Sequence, residues 1–260
     1  MTLGPALLFC PGDRPDRFEK AAIAADVVIL DLEDAVAPDA KEAARSAVAS
    51  STLDPQRTIV RVNPGEADLE AVRASPYDTV MLAKAETVAD VERWSDYRVI
   101  ALCESPVGVQ NVELLARIAN VVALSWGAED LVAALGGTSS RHAGGGYRDF
   151  ARHARSRILI AAAAAGKAAI DTVHLDIVDD AGLTAEAEDA AASGFVGMLC
   201  IHPRQVELVR AAFRPAPDAV AWARRVLDAA DTNASGVFAL DGRMIDEPVL
   251  AQARRIIGQP

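Results

Sequence analysis

Short, nearly continuous apolar runs recur along this chain with helical patterns between them. That alternation narrows the fold more than any other feature of the sequence. The runs are ALLFCPG (6–12), VVILDLED (27–34), TIVRVNP (58–64), TVMLAKA (79–85), VIALCES (99–105), VVALSWGAED (121–130), TVHLDIV (172–178) and VGMLCIHP (196–203). Each reads as a strand covered on both faces, the situation of parallel strands in α/β proteins. RPDRFEKAAIAA, KEAARSAVAS, SPVGVQNVELLARIA and YRDFARHARSRILIAAAAAGK read as helices between them. The last of these stops at Gly166, a residue suited to the position just past a helix. Eight strands alternating with helices predict an α/β fold, a closed (β/α)8 TIM barrel. An open, doubly wound sheet is the rival. Against it, no G-x-G-x-x-G follows the first strand. The glycines at 136–137 and 144–146 lack the Lys-Ser/Thr of a phosphate-binding loop and read as a mobile loop.

More than fifty residues follow the eighth run. Pro203 opens a helix to about Phe213, RPAPDA breaks it, and a second helix runs from about 218 to 230. GVFALDGRMID reads as a hairpin turning at Asp241-Gly242, and EPVLAQARRIIG as a closing helix. The expected division is a barrel over 1–214 and a hairpin-helix extension over 215–260. A filled barrel has no room for this extension, so it is expected outside or against a neighbouring subunit.

Composition sets the remaining bounds. The formal charge is −11, which argues against a general role on nucleic acid, since such binding shows as a basic footprint. No apolar run reaches the roughly 20 residues of a membrane helix. The start, MTLGPALLFCPG, has no basic n-region, so no secretory leader is expected. Cys10, Cys103 and Cys200 are isolated within apolar runs and have no metal-finger spacing. They read as buried, reduced thiols of a cytoplasmic protein.

Active sites of such barrels lie at the C-terminal ends of the strands. The polar residues expected there are Arg14; Asp31, Glu33 and Asp34; Arg61 and Asn63; Lys84 and Glu86; Glu104; Glu129 and Asp130; His174 and Asp176; and His202. An acidic set with embedded arginines suits a hard cation that binds an anionic substrate. Glu104 and Asp130 follow neighbouring strands directly and are the leading metal candidates. The alternatives are an arginine partner for Glu104 and a helix cap for Asp130. Asp31 and Glu33 share strand parity and so face the same way. They are expected to hold metal-bound waters or to orient an arginine, or else to cap and solvate the strand end. Arg61 is placed to clamp a substrate carboxylate, to pair internally with Asp31 or Glu33, or both. Gly127 and Ala128 are placed to offer backbone N–H groups to the same anion, with an ordinary tight turn as the alternative. Arg14, Arg17 and Lys20 form a candidate phosphate seat, with a solvated helix face as the alternative.

The motifs LFCPGDRPDRFEKA, VILDLEDAV, VRVN, LAKAE, ALCESPVGV, SWGAEDL, LCIHPRQ and GRMIDEPVL stand in this order. Together they resemble the citrate lyase beta subunit-like branch of the HpcH/HpaI aldolase superfamily, relatives of malyl-CoA and citramalyl-CoA lyases. The resemblance implies a (β/α)8 barrel, Mg2+, and a homo-oligomer, commonly a trimer. It also implies carbon–carbon cleavage of a 3-hydroxyacyl-CoA to acetyl- or propionyl-CoA plus a 2-oxo acid, or the reverse. By position it makes Glu104 and Asp130 the Mg2+ ligands and Arg61 the carboxylate clamp. Phe9, Arg14 and Lys20 become CoA contacts, and Asp246 a catalytic base contributed by a neighbouring subunit. Read without the resemblance, Asp246 is a helix N-cap, with Pro at the second helical position. The superfamily's CoA-independent aldolases use a histidine near strand two, and VILDLEDAV has none. The other functions weighed are a CoA-independent metal aldolase, a complex-dependent citrate lyase subunit, and a non-catalytic binder of oxo acids or CoA.

Overall fold

The computed structural model describes residues 3–233 and 236–258. Eight strands form the main sheet: β1 Ala6–Pro11, β2 Val27–Asp31, β3 Thr58–Val62, β4 Thr79–Leu82, β5 Arg98–Leu102, β6 Val121–Ser125, β7 Ala168–Asp171 and β8 Gly197–Cys200. They pair in parallel in chain order, and β8 returns to β1 to close a barrel. The connecting helices are α1 Phe18–Ala24, α2 Lys41–Ala49, α3 Glu66–Arg73, α4 Val88–Glu92 and α5 Pro106–Ala116. After these come α6 Ala128–Ala134 and α7 Asp149–Ala164, both between β6 and β7, then α8 Asp180–Ser193 and α9 Pro203–Ala212. The expected (β/α)8 barrel is the observed one, and the open sheet is excluded.

One strand is displaced from its expected place. TVHLDIV at 172–178 is not β7. The strand is the preceding AAID, whose residues pair with β6 and β8. Alanine has weak strand preference and threonine and valine strong, so side-chain preference alone favours 172–178. Backbone pairing decides otherwise. Gly166, at φ +66°, ends α7 and turns the chain straight into the barrel. Residues 172–178 then lie beyond the strand, with Leu175 and Val178 exposed.

Strand side chains alternate faces. Leu7, Val27, Ile29, Ile59, Met81, Ile100, Leu102, Ile170 and Leu199 fill the barrel interior. Burying each large aliphatic contributes about 1.5–3 kcal/mol. Continuing each inward row by two residues reaches Phe9 from Leu7, Asp31 from Ile29, Arg61 from Ile59 and Glu104 from Leu102. The same parity that fills the core therefore delivers these four side chains to the C-terminal mouth.

Asp171, at the end of β7, ties the wall of the mouth together. Its Oδ1 accepts hydrogen bonds from Trp126 Nε1 (2.7 Å) and from its neighbour Thr172's N–H (3.0 Å), and its Oδ2 accepts one from Arg155 Nε (2.8 Å). Burial pushes its pKa up, against the pull of Arg155. Asp171→Ala leaves the buried Trp126 indole N–H without its acceptor and takes from Arg155 the more buried of its two carboxylate partners, Asp189 being the other. Urea unfolding should show a loss of about 3 kcal/mol. A loss under about 1 kcal/mol would mean that the network contributes little.

The chain divides into two compact units, Met1–Arg210 and Ala211–Pro260. The second contains α10 Pro217–Thr232, a hairpin of β9 Phe238–Leu240 and β10 Arg243–Ile245, and α11 Glu247–Gly258. The hairpin turns at Asp241 (φ +51°) and Gly242 (φ +76°), the paired left-handed conformation that Asp-Gly favours. Ala223, Val226, Ile245, Leu250 and Ala253 form this unit's own core. Cys10, Cys103 and Cys200 are buried and unpaired. Among the described residues no helix is long and apolar enough to cross a membrane.

Candidate active site

Asp31 and Arg61 occupy paired positions in the β2–β3 register. Arg61 Nε and Nη2 donate to the two oxygens of Asp31 at 2.6 and 2.5 Å. The same oxygens accept from the backbone N–H groups of Glu33 (2.8 Å) and Ala35 (3.0 Å). All four acceptor positions of this fully buried carboxylate are therefore engaged. Asp31 holds Arg61 and has no lone pair left for a ligand. The guanidinium also lies 4.6 Å from the centre of the Phe9 ring. Its Nη1 is 2.9 Å from Glu33 Oε2, out of line for a hydrogen bond. Burial works against the charge on Arg61, but Asp31 and then Glu33 outweigh it, so the pKa is raised. The bidentate edge expected to meet a substrate thus belongs to Asp31. The donors left over are those on the Nη1 side.

Glu104 follows β5 and is 3% exposed. Its Oε1 accepts from the backbone N–H of Lys84 at 3.1 Å. Its Oε2 lies against Gly127, where a Cβ would come within 2.6 Å. Only glycine leaves that space open. Burial first, then the charges of Asp130 and Glu33, push the Glu104 pKa up to about 8. Asp130 sits in the first turn of α6, two-thirds buried, with Oδ1 3.3 Å from Lys84 Nζ.

Lys84 is the site residue whose role sequence reasoning missed. It stands among the strand-end polar residues with no task assigned. The structure places its ammonium among Glu33, Asp34 (3.4 Å) and Asp130 (3.3 Å). Burial pulls its pKa down, but the hydrogen bond and charge of Glu33 overcome this, and the ammonium stays charged. Burial raises Glu33 in turn, against the pull of Arg61 and Lys84. No sequence signal marks the left-handed backbone of Lys84, φ +49°.

Gly127 is the N-cap of α6 and Ala128 its first residue, so their N–H groups have no acceptor in the helix. Arg14 is half-exposed and forked onto Asp16 at 3.0 Å through Nε and Nη2. Lys20 is exposed on α1. Asp246 belongs to the second unit and caps α11: its Oδ1 accepts from the N–H of Val249 at 3.3 Å. His174 and Asp176 sit beyond β7 rather than on it. His174 is buried, with Nδ1 2.9 Å from Glu186. The glycine-rich loop before α7 is anchored at its base. Arg141 pairs with Glu186, and Tyr147 stacks edge-on against Trp126 at 5.3 Å.

The cluster suits a hard divalent cation. It supplies oxygen donors, a buried carboxylate burdened by like charges, and a glycine-lined space beside that carboxylate. Among the described residues, no group of three or more His, Cys, Asp or Glu side chains converges as a metal cage. Two protein carboxylates with water and a chelating ligand completing the shell is the arrangement Mg2+ prefers over a full cage.

Comparison with known proteins points the same way. A family model described as HpcH/HpaI aldolase/citrate lyase matches residues 6–203. A citrate lyase subunit beta-like protein of Mycobacterium tuberculosis is 54% identical over 98% of this chain and 94% of its own. The mitochondrial citramalyl-CoA lyase of Homo sapiens is 30% identical over 97% of this chain and 84% of its own. The crystal structure of M. tuberculosis CitE in complex with magnesium, acetoacetate and coenzyme A aligns with TM-score 0.95 at 53% identity, over 98% of this chain and 97% of that one.

Proposed function

Because the chain belongs to the HpcH/HpaI aldolase/citrate lyase family, we propose that it is a Mg2+-dependent carbon–carbon lyase acting on a 3-hydroxyacyl-CoA. Its products are acetyl- or propionyl-CoA and a 2-oxo acid, and the reverse condensation uses the same site. Malyl-CoA, citramalyl-CoA and citryl-CoA are the candidate substrates. One observation carries the reading. A buried Glu104, fixed by the Lys84 N–H and fitted against Gly127, shares the barrel mouth with Asp130 and Arg61.

Glu104 and Asp130 hold the metal. When bound, Mg2+ supplies Lewis-acid polarisation of the 2-hydroxy or 2-oxo oxygen. Arg61, kept rigid by Asp31 and Phe9, directs its Nη1-side donors at the acid's carboxylate. The N–H groups of Gly127 and Ala128 hold the same anion at the opening of α6. Asp246 of a neighbouring copy is the base. In cleavage it takes the hydroxyl proton, and the oxygen's electrons form the new C=O. The adjacent C–C bond breaks, its electron pair passes to the thioester enolate, and a proton then quenches the α-carbon. Glu33 steadies Arg61 and Lys84. Phe9, Arg14 and Lys20 receive the CoA, with the two cations at its phosphates, and the working form is a homo-oligomer, a trimer.

The test is a panel of 3-hydroxyacyl-CoA esters incubated with the isolated chain and Mg2+ and read by mass spectrometry. Appearance of acetyl- or propionyl-CoA and an oxo acid supports the assignment. Cleavage of a hydroxy-oxo acid without CoA would sink it in favour of a CoA-independent aldolase. Silence towards every free CoA ester would place the chain in a complex that uses a carrier-bound thioester. Gly127→Ala is a sharper probe of the metal pocket. Its Cβ must push Glu104 aside, so calorimetry should find Mg2+ affinity about 10- to 100-fold weaker.

A further inference from the structure

The backbone around Lys84 departs from the strand it follows. Ala83 N–H donates to Val62 of β3, and Ala85 N–H donates to Leu102 of β5, both at 3.0 Å. Lys84, between them, is turned out of both ladders by its φ of +49°, and its N–H reaches Glu104 Oε1 instead. A non-glycine residue in this conformation is strained, and such strain persists only where the surroundings enforce it. What enforces it here is the acidic mouth. The same residue extends its ammonium to Glu33, Asp34 and Asp130. One residue therefore touches both carboxylates assigned to the metal, one through its main chain and one through its side chain.

We propose that Lys84 is a positioning residue that acts as the built-in counter-cation of the metal site, and that a divalent ion must displace it from Asp130. Without metal, five carboxylates (Asp31, Glu33, Asp34, Glu104 and Asp130) crowd the mouth, against the two cations Arg61 and Lys84. Arg61 is committed to Asp31 by two hydrogen bonds. Lys84 is the more exposed one: its side chain is 45% exposed, and its Asp130 contact, at 3.3 Å, is longer than the one it makes with Glu33. Its ammonium keeps Asp130 and Glu33 drawn in before metal arrives, and its charge lies against the Asp130 oxygen that the ion needs. When the ion binds, the ammonium retires to Glu33 and Asp34. The site is thereby pre-assembled, and its affinity for metal is held below what its carboxylates alone would give.

This inference rests on the assignment of Glu104 and Asp130 to the metal, and the test separates the two. Mg2+ alone, with no substrate, is titrated calorimetrically into the wild-type chain, Lys84→Met and Lys84→Arg, and melting temperatures are taken with and without Mg2+. Removing one positive charge a few ångströms from the ion should tighten Mg2+ binding by about tenfold in Lys84→Met. The metal-free melting temperature should fall and the rise on adding Mg2+ should grow. Lys84→Arg should restore wild-type affinity, because the charge is what competes. Equal or weaker Mg2+ binding in Lys84→Met overturns the proposal, since a purely structural lysine would lower stability without tightening the metal. No Mg2+ binding to the wild-type chain removes the metal assignment itself. Should Lys84→Met fail to fold, Lys84→Gly relieves the left-handed strain and carries the same expectation.

Discussion

Glu104→Gln should abolish Mg2+ binding at millimolar metal in a calorimeter and lower turnover about a thousandfold or more, with the fold intact. Glutamine fills the same volume against Gly127 and still accepts the Lys84 N–H through its carbonyl oxygen. Only the charge is lost, and the charge is what a hard cation needs. The same residue sets a pH signature. Burial, then the charges of Asp130 and Glu33, push its pKa up from an ordinary 4.5 to about 8. The folded state therefore holds this proton more tightly than the unfolded state does. Metal-free stability should fall as pH rises from about 4.5 through about 8, and Mg2+ should oppose that fall. Only the ionised carboxylate binds metal, so below pH 8 the Mg2+ affinity should rise by up to about tenfold per pH unit, with a proton released at each binding event. Glu104→Gln should erase both the proton release and its share of the stability slope. Mg2+ binding that survives in Glu104→Gln would take this residue out of the metal site. A proton release near zero at pH 7 in the wild-type chain would mean that Glu104 is already ionised.

The barrel was legible because parallel strands buried on both faces leave unbroken apolar runs, and seven of the eight were read where they stand. The eighth failed for a physical reason. Ala168–Asp171 has little side-chain preference for a strand and is placed by its neighbours' hydrogen bonds, which sequence does not display. Parity made the orientation of Asp31 and Glu33 readable, and pairing across β2 and β3 accounts for the Arg61–Asp31 contact. The direction of the Arg61 fork was not readable, nor was the local capture of Arg14 by Asp16 two residues on. Both depend on rotamers chosen among several nearby carboxylates. The role of Lys84 was hidden for another reason. A left-handed lysine has no composition cue, and its meaning exists only once four separate loops have been brought to one mouth. Asp246 stands at the opposite extreme. Its capping role was read from DEPVL alone and is what the hydrogen bonds give.

That cap makes Asp246 the position where base and structural residue must be told apart by design of the variant. Asp246→Asn keeps a good N-cap for α11 and removes the carboxylate proposed to take the proton, whereas Asp246→Ala would also cost about 1 kcal/mol of capping. Asp246→Asn should therefore leave melting temperature, Mg2+ affinity and oxo-acid binding where they were, while kcat falls about a thousandfold. Near-normal turnover would reduce Asp246 to its capping role. The second half of the claim, that the base comes from a neighbouring copy, has its own readout. Glu104→Gln and Asp246→Asn chains should each be nearly inactive alone. Co-expressed, they form mixed assemblies in which some sites draw Glu104 from one chain and Asp246 from the other, both intact. Random mixing makes about a quarter of the sites complete, so about a quarter of wild-type activity should return. If each chain supplied its own Asp246, every site would carry one lesion or the other and no activity would come back.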